Sequence, residues 1–229
     1  MTAIPNDPRA STENRPSAPS GRARRTAYAG LSTLAGFVDG AGFVMLGGYF
    51  VSFMSGNTTQ AAAELTGGSF GAAAFAALLV VAFVAGAIAG TATAVRWGAC
   101  GVLTLMTGGL ALAAVCAVLT SAPPAGVVLA ASMGAANTVF SRDGAAPLGL
   151  TYMTGQLMKL AEGIVAALRG NGNAGWTQPL LLWTGIAAGA VLGAAATRAV
   201  GAPALAIPAG ATLVVTVVAW MRRARSSGD

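Results

Sequence analysis

The sequence predicts an all-α polytopic membrane protein with six transmembrane helices, arranged as two inverted three-helix repeats with broken first helices. Three observations predict it. Of the 229 residues, 55% are hydrophobic, another 32 are Gly, and only 9% carry charge, against roughly 25% in an ordinary soluble domain. The apolar residues gather into six stretches, each near the length of a bilayer crossing. Short motifs in the first half recur with like chemistry about a hundred positions later, where the second half begins.

Composition also excludes chemistry. There is no His, which removes His general bases, Ser-His-Asp triads and His-ligated metals. Cys100 and Cys116 are too few for a four-thiolate zinc site and are expected to serve as small apolar side chains. No metal or cofactor is expected, no catalytic residues, and no enzyme.

Residues 1–26 are rich in Pro, Ser, Arg and Asn and nearly lack bulky apolar side chains. Such a segment buries too little surface to offset chain entropy, so a disordered cytoplasmic tail is expected. The first three-helix repeat occupies 27–121, with apolar stretches at 27–46, 71–95 and 99–120. Twenty helical residues reach roughly 30 Å, the thickness of the hydrocarbon core. Pro123-Pro124 interrupts the chain, and the second repeat occupies 122–221 with stretches at 125–141, 178–197 and 203–221. Residues 222–229 form a basic tail.

The formal charge of +6 is concentrated at the ends, with Arg9, Arg15, Arg22, Arg24 and Arg25 before the first stretch and Arg222, Arg223 and Arg225 after the last. The positive-inside rule puts both termini in the cytoplasm of a bacterial inner membrane, and an even number of crossings agrees. Arg96 and Arg169 fall on the same side; Arg198 is the exception. Nucleic-acid binding is not expected, because the basic groups are short and carry no interleaved aromatics.

The repeat rests on three matches. Gly36-Phe37-Val38-Asp39 corresponds to Gly134-Ala135-Ala136-Asn137, 98 positions later, and Ser52-Phe53-Met54-Ser55-Gly56-Asn57 to Thr151-Tyr152-Met153-Thr154-Gly155-Gln156, 99 later. Ala85–Gly90 resembles Ala188–Gly193, 103 later. Three crossings is an odd number, so the second half enters from the opposite side, which makes the repeat inverted. Gly86/Gly90 and Gly185/Gly189/Gly193 recur every four residues and line one helix face each. They suit intramolecular packing of the second and fifth helices, with a homodimer face as the alternative.

Each first helix is followed by a break: Gly47-Gly48 in one half, Gly144 and Pro147 in the other. Gly frees the backbone and Pro removes a helix donor. Gly56 and Gly155 are further positions where unwinding is expected. Paired interruptions at membrane depth point to a binding site. A shorter piece follows each break, 50–66 and 150–169, either spanning or re-entrant. Asn57, Gln60 and Glu64 share a face of the first, and Gln156, Lys159 and Glu162 a face of the second. These faces are expected to meet near the pseudo-symmetry axis.

Asp39 lies inside an apolar stretch, where a charge costs roughly 2.5–3.5 kcal/mol on insertion scales. It is a candidate proton or cation carboxylate; the alternative is a cap on a broken helix. Asn57, Gln60, Asn137 and Gln156 are candidate hydrogen-bonding groups, and Ser55 and Thr154 candidates for satisfying freed backbone. Lys159 and Glu162 can pair. Met54 and Met153 suit packing rather than metal.

The stretch Gly36-Phe37-Val38-Asp39, Gly42-Phe43, Leu46-Gly47-Gly48, Phe53-Met54-Ser55-Gly56-Asn57-Thr58 resembles the hallmark of the YoaK-like bacterial membrane proteins. Met133-Gly134 with Asn137, Arg142, Gly144 and Thr151-Tyr152-Met153-Thr154-Gly155 is similar to its second motif. This chain departs from that pattern with Ala136 before Asn137 and Gln156 after Gly155. The resemblance implies six crossings in a bacterial inner membrane and no assigned activity. The function expected is a secondary transporter or permease of a small solute or ion, one half rocking against the other around a site between the broken segments. The alternative is a non-transporting membrane assembly or regulatory subunit.

Overall fold

The computed structural model describes residues 21–139, 153–170 and 175–226. Among them are α1 (Gly21–Met45), α2 (Met54–Thr66), α3 (Phe70–Leu119), α4 (Ala122–Ala136), α5 (Met153–Leu168), α6 (Thr177–Val200) and α7 (Ala206–Ser226), with a short 3-10 turn at Ala202–Leu205 before the last. No strand occurs among the described residues. Among the described residues, three stretches are long and apolar enough to cross a membrane: Phe70–Leu119, Thr177–Val200 and Ala202–Arg225. α4 is apolar but shorter, and opens with Pro123 and Pro124 in its first turn, where the missing donors are tolerated. α1 starts at Gly21, inside the stretch expected as tail.

The second and third apolar stretches are joined without a loop. Gly98 alone leaves the helical region of α3, at φ 70° and ψ −161°, a combination open essentially only to Gly. It makes an elbow. Ala85 and Leu112 line one cavity, whereas 27 residues of straight helix would hold them about 40 Å apart. The two arms therefore lie side by side. Gly201, just past α6, takes almost the same conformation, φ 71° and ψ −147°.

Two helix pairs form the body. α1 packs on α6 and α3 packs on α4, and glycine sets both distances. A methyl group at Gly36 would lie 2.1 Å from the carbonyl oxygen of Ile186, and one at Gly189 2.0 Å from that of Thr33. In the other pair, a methyl at Gly134 would lie 2.0 Å from the Phe83 oxygen and one at Gly86 1.9 Å from the Ala131 oxygen. Adding 98 to the α1 residues and subtracting 103 from the α6 residues converts the first set of contacts into the second. The Gly86/Gly90 and Gly189/Gly193 faces are thus occupied within the chain.

Leu79, Met106, Leu110, Leu129 and Met133 fill the α3–α4 side of the core, and Val38 and Val51 extend it to α1 and the segment after it. α7 is tied to the second arm of α3 by Thr107 and Thr216, whose hydroxyls lie 2.8 Å apart. Large apolar side chains such as Val81, Ile88, Val95 and Val191 face outward. An aqueous surface would disfavour that arrangement; lipid would not.

Candidate functional site

α1 ends at Gly47 and Gly48, with φ 70° and 110°. The Gly48 N–H donates to the Phe43 oxygen at 2.9 Å, five residues back, and the Gly47 N–H reaches the Val44 oxygen at 3.5 Å. This is the Schellman closure of a helix end. The chain then runs without regular structure to Phe53, and α2 starts at Met54. The break expected from Gly47-Gly48 is present.

Two side chains hold the unwound segment. The Asp39 carboxylate, about 9 Å from the end of α1 by helical rise, accepts the Ser52 N–H through Oδ1 at 2.9 Å and the Ser52 hydroxyl through Oδ2. From α2, Asn57 Oδ1 accepts the Phe50 N–H at 3.0 Å while its Nδ2 donates to the Phe50 oxygen at 2.6 Å. Asn57 is fully buried. Its amide supplies the donor and acceptor that a neighbouring strand would give Phe50, satisfying backbone that α1 no longer satisfies. Tilted and edge-on ring contacts of Phe50 with Phe43 and Phe53, at 5.0 and 5.2 Å, close the segment's apolar side.

The structure therefore brings Asp39 and Asn57 together on one backbone segment, as holders of it. Ser52 is the residue that sequence reasoning missed. Its signal was its place at the head of the repeated hydroxyl-to-amide motif, four residues past the glycine pair. Ser55, expected to serve freed backbone, is exposed instead. Gly56 and Gly155, expected to unwind, are helical in α2 and α5. Gly56 is required for space: a methyl there would lie 2.4 Å from the Phe53 ring. Gly144, Pro147 and Thr151 lie outside the described residues.

In the second half, Asn137 follows the last turn of α4 and donates Nδ2 to the Met133 oxygen at 2.8 Å. Gln156, Lys159 and Glu162 come together as expected. With Gln178 they line an open cleft of about 420 Å³ between α5 and the start of α6. Gln156 is buried; Lys159 and Glu162 are exposed, and no ion pair among the described residues joins them. Gln60 is half-buried on the inner face of α2. The two polar faces do not meet. α2 packs on α3 and α5 on α6, without substantial contact between α2 and α5. In the first half a short connection explains this: three residues, 67–69, link α2 to α3, which turns the short helix back onto its successor.

Residues 28–218 match the family described as "Protein of unknown function (DUF1275)". The chain belongs to this DUF1275 family. It is 37% identical over 194 residues, 84% of each chain, to the "UPF0700 transmembrane protein RA0705" of Rhizobium meliloti (strain 1021). No solved structure matches. The YoaK-like resemblance is consistent with this membership, and the DUF1275 protein is an integral membrane protein by family and by its apolar helices.

Proposed function

We propose that this DUF1275 protein is a secondary transporter or permease of a small solute or ion in the bacterial inner membrane. Its six crossings are α1, the two arms of α3, α4, α6 and α7, with both termini cytoplasmic. The two halves are inverted copies related by a pseudo-two-fold axis in the membrane plane.

One observation carries the reading: the reciprocal glycine contacts. The first helix of each half packs on the second helix of the other, through residues offset by 98 and 103. A two-fold exchange of halves yields that pattern, and chance likeness of Ala/Gly helices does not. The matching elbows at Gly98 and Gly201, also 103 apart, support it. Inverted repeats with interrupted helices are the architecture of alternating access. Close glycine contacts make α1–α6 and α3–α4 each a rigid unit drawing one helix from each half, so the bodies that rock are these pairs and not the two halves expected from the sequence.

Asp39 is the coupling group in this reading. As a carboxylate it accepts both bonds from Ser52. A proton or cation on it removes acceptor capacity and loosens the unwound segment. Asn57 anchors that segment; Gln156, Lys159 and Glu162 offer polar contacts to a solute in their cleft, with Gln60 and Asn137 as further hydrogen-bonding groups. Proteoliposomes containing a trapped pH dye, challenged with a panel of amino acids, sugars and inorganic ions, test it. At least one solute should drive a lumenal pH change that Asp39→Asn abolishes. Silence across the panel, or an unchanged signal in Asp39→Asn, sinks the proton-coupled form.

A second reading is a non-transporting assembly or regulatory subunit. The commitment of Asp39 and Asn57 to backbone groups favours it, because neither is left over for a solute. Co-purification of a stoichiometric membrane partner, together with silence in the flux panel, would select it.

A further inference from the structure

Arg96 and Trp97 stand immediately before the Gly98 elbow, and Trp220 and Arg223 lie one turn apart near the end of α7. The fold assembles them. Arg223 Nη1 donates to the Trp97 carbonyl oxygen at 2.5 Å, and Trp220 Nε1 donates to Thr104 Oγ1 at 3.0 Å. The Arg96 guanidinium lies 5.2 Å from the centre of the Trp97 ring, and that of Arg223 5.3 Å from the Trp220 ring. Trp97, Trp220, Thr93, Gly101 and Leu105 line an open apolar groove of about 370 Å³. Arg222 and Arg225 flank Arg223 within one turn. Arg96, Arg222 and Arg225 are exposed, and none has an ion pair among the described residues.

This combination selects a ligand chemistry. Trp favours the headgroup level of a bilayer, one end apolar and the other wet. Stacking on indole orients a guanidinium while leaving its N–H groups to a phosphate, which Arg binds bidentately. An apolar groove beside unpaired arginines suits a molecule with a hydrocarbon body and a phosphate head. Free phosphate has nothing for the groove, and a zwitterionic lipid brings its own cation to the arginines.

We infer that the elbow of α3 and the end of α7 form a binding site for an anionic phospholipid. The phosphate lies at Arg96 on the elbow, with Arg222 and Arg225 on the outer faces of α7 adding positive charge around it, and the acyl-glycerol portion enters between Trp97 and Trp220. Arg223 positions the site by tying α7 to the elbow. The inference does not depend on transport.

The test uses the full-length protein in mild detergent, titrated with phosphatidylglycerol or phosphatidylcholine carrying brominated acyl chains, with tryptophan fluorescence as readout. Arginines at a membrane surface favour anionic lipid by roughly five-fold each. Brominated phosphatidylglycerol should therefore quench at a mole fraction at least several-fold lower than brominated phosphatidylcholine. The preference should disappear in Arg96→Gln/Arg222→Gln/Arg225→Gln and persist in Arg198→Gln. Inorganic phosphate at equal concentration should not reverse the quenching. Equal quenching by the two lipids in the unmodified protein overturns the inference without recourse to any variant. So does a preference that survives the triple substitution, one lost equally in Arg198→Gln, or displacement by inorganic phosphate.

Discussion

Replacing Gly189 with alanine should drive α1 and α6 apart. The new methyl carbon would lie 2.0 Å from the Thr33 oxygen and 2.9 Å from the Phe37 nitrogen. Close C–H···O contacts run at about 3.3–3.6 Å, so the helices must part by more than an ångström. The obstacle is main chain, which has no rotamer to escape into. Overpacking of this kind costs about 1–3 kcal/mol. Gly86→Ala should cost the same, since its methyl would lie 1.9 Å from the Ala131 oxygen in the other helix pair. The two sites belong to different pairs, so the double variant should approach the sum, about 2–6 kcal/mol. Gly108 and Gly210 are the controls. Nothing lies within 4 Å of a methyl at either, and alanine favours helix over glycine by about 0.8–1 kcal/mol, so these variants should be neutral or stabilised. Unfolding of the purified protein in mild detergent, followed by helical circular dichroism, measures all five. A Gly189→Ala variant as stable as Gly108→Ala would refute the close-approach argument. A large loss at Gly189 with none at Gly86 would refute the equivalence of the two pairs.

Gly98→Ala should lose about 1–3 kcal/mol despite its position in a long helix, because its backbone conformation is closed to alanine; the same unfolding measurement reads it. Asn57→Ala leaves the Phe50 N–H and carbonyl without side-chain partners, at about 1–3 kcal/mol for each buried group. Limited proteolysis should then cut within 47–53 before any helix is lost. Thr216→Val removes the hydroxyl contact to Thr107 at nearly constant volume. Interhelical bonds of this type average about 0.6 kcal/mol in membranes, so the melting temperature should fall only slightly.

Much of the fold was legible because its cause is local. Composition and run length mark apolar helices whatever they pack against, and Gly47-Gly48 ends α1 by backbone freedom alone. The four-residue spacing of Gly86/Gly90 and Gly189/Gly193 marked close-packing faces. It could not name their partners, which lie 45 residues or more away along the chain. The candidate site was legible in its members and misjudged in its roles. Asp39 and Asn57 stand out as polar groups in an apolar setting, which suggests a ligand. In the fold, Ser52 and Phe50 take up their hydrogen bonds. Ser52 itself gave little warning, since a serine beside a loop is ordinary until a carboxylate thirteen residues earlier is found against it.

By itself the sequence determined the solvent, the helices, the break at Gly47-Gly48 and the echo between the halves, all of which follow from side-chain polarity and backbone freedom over a few residues. Only the tertiary structure decided that α1 joins α6 and α3 joins α4, that α2 and α5 fold back on their successors, and that Asp39 and Asn57 grip the unwound chain. Those outcomes depend on which surfaces can approach within a glycine's width and on which buried donors lack acceptors, and both are properties of assembled helices rather than of any one segment.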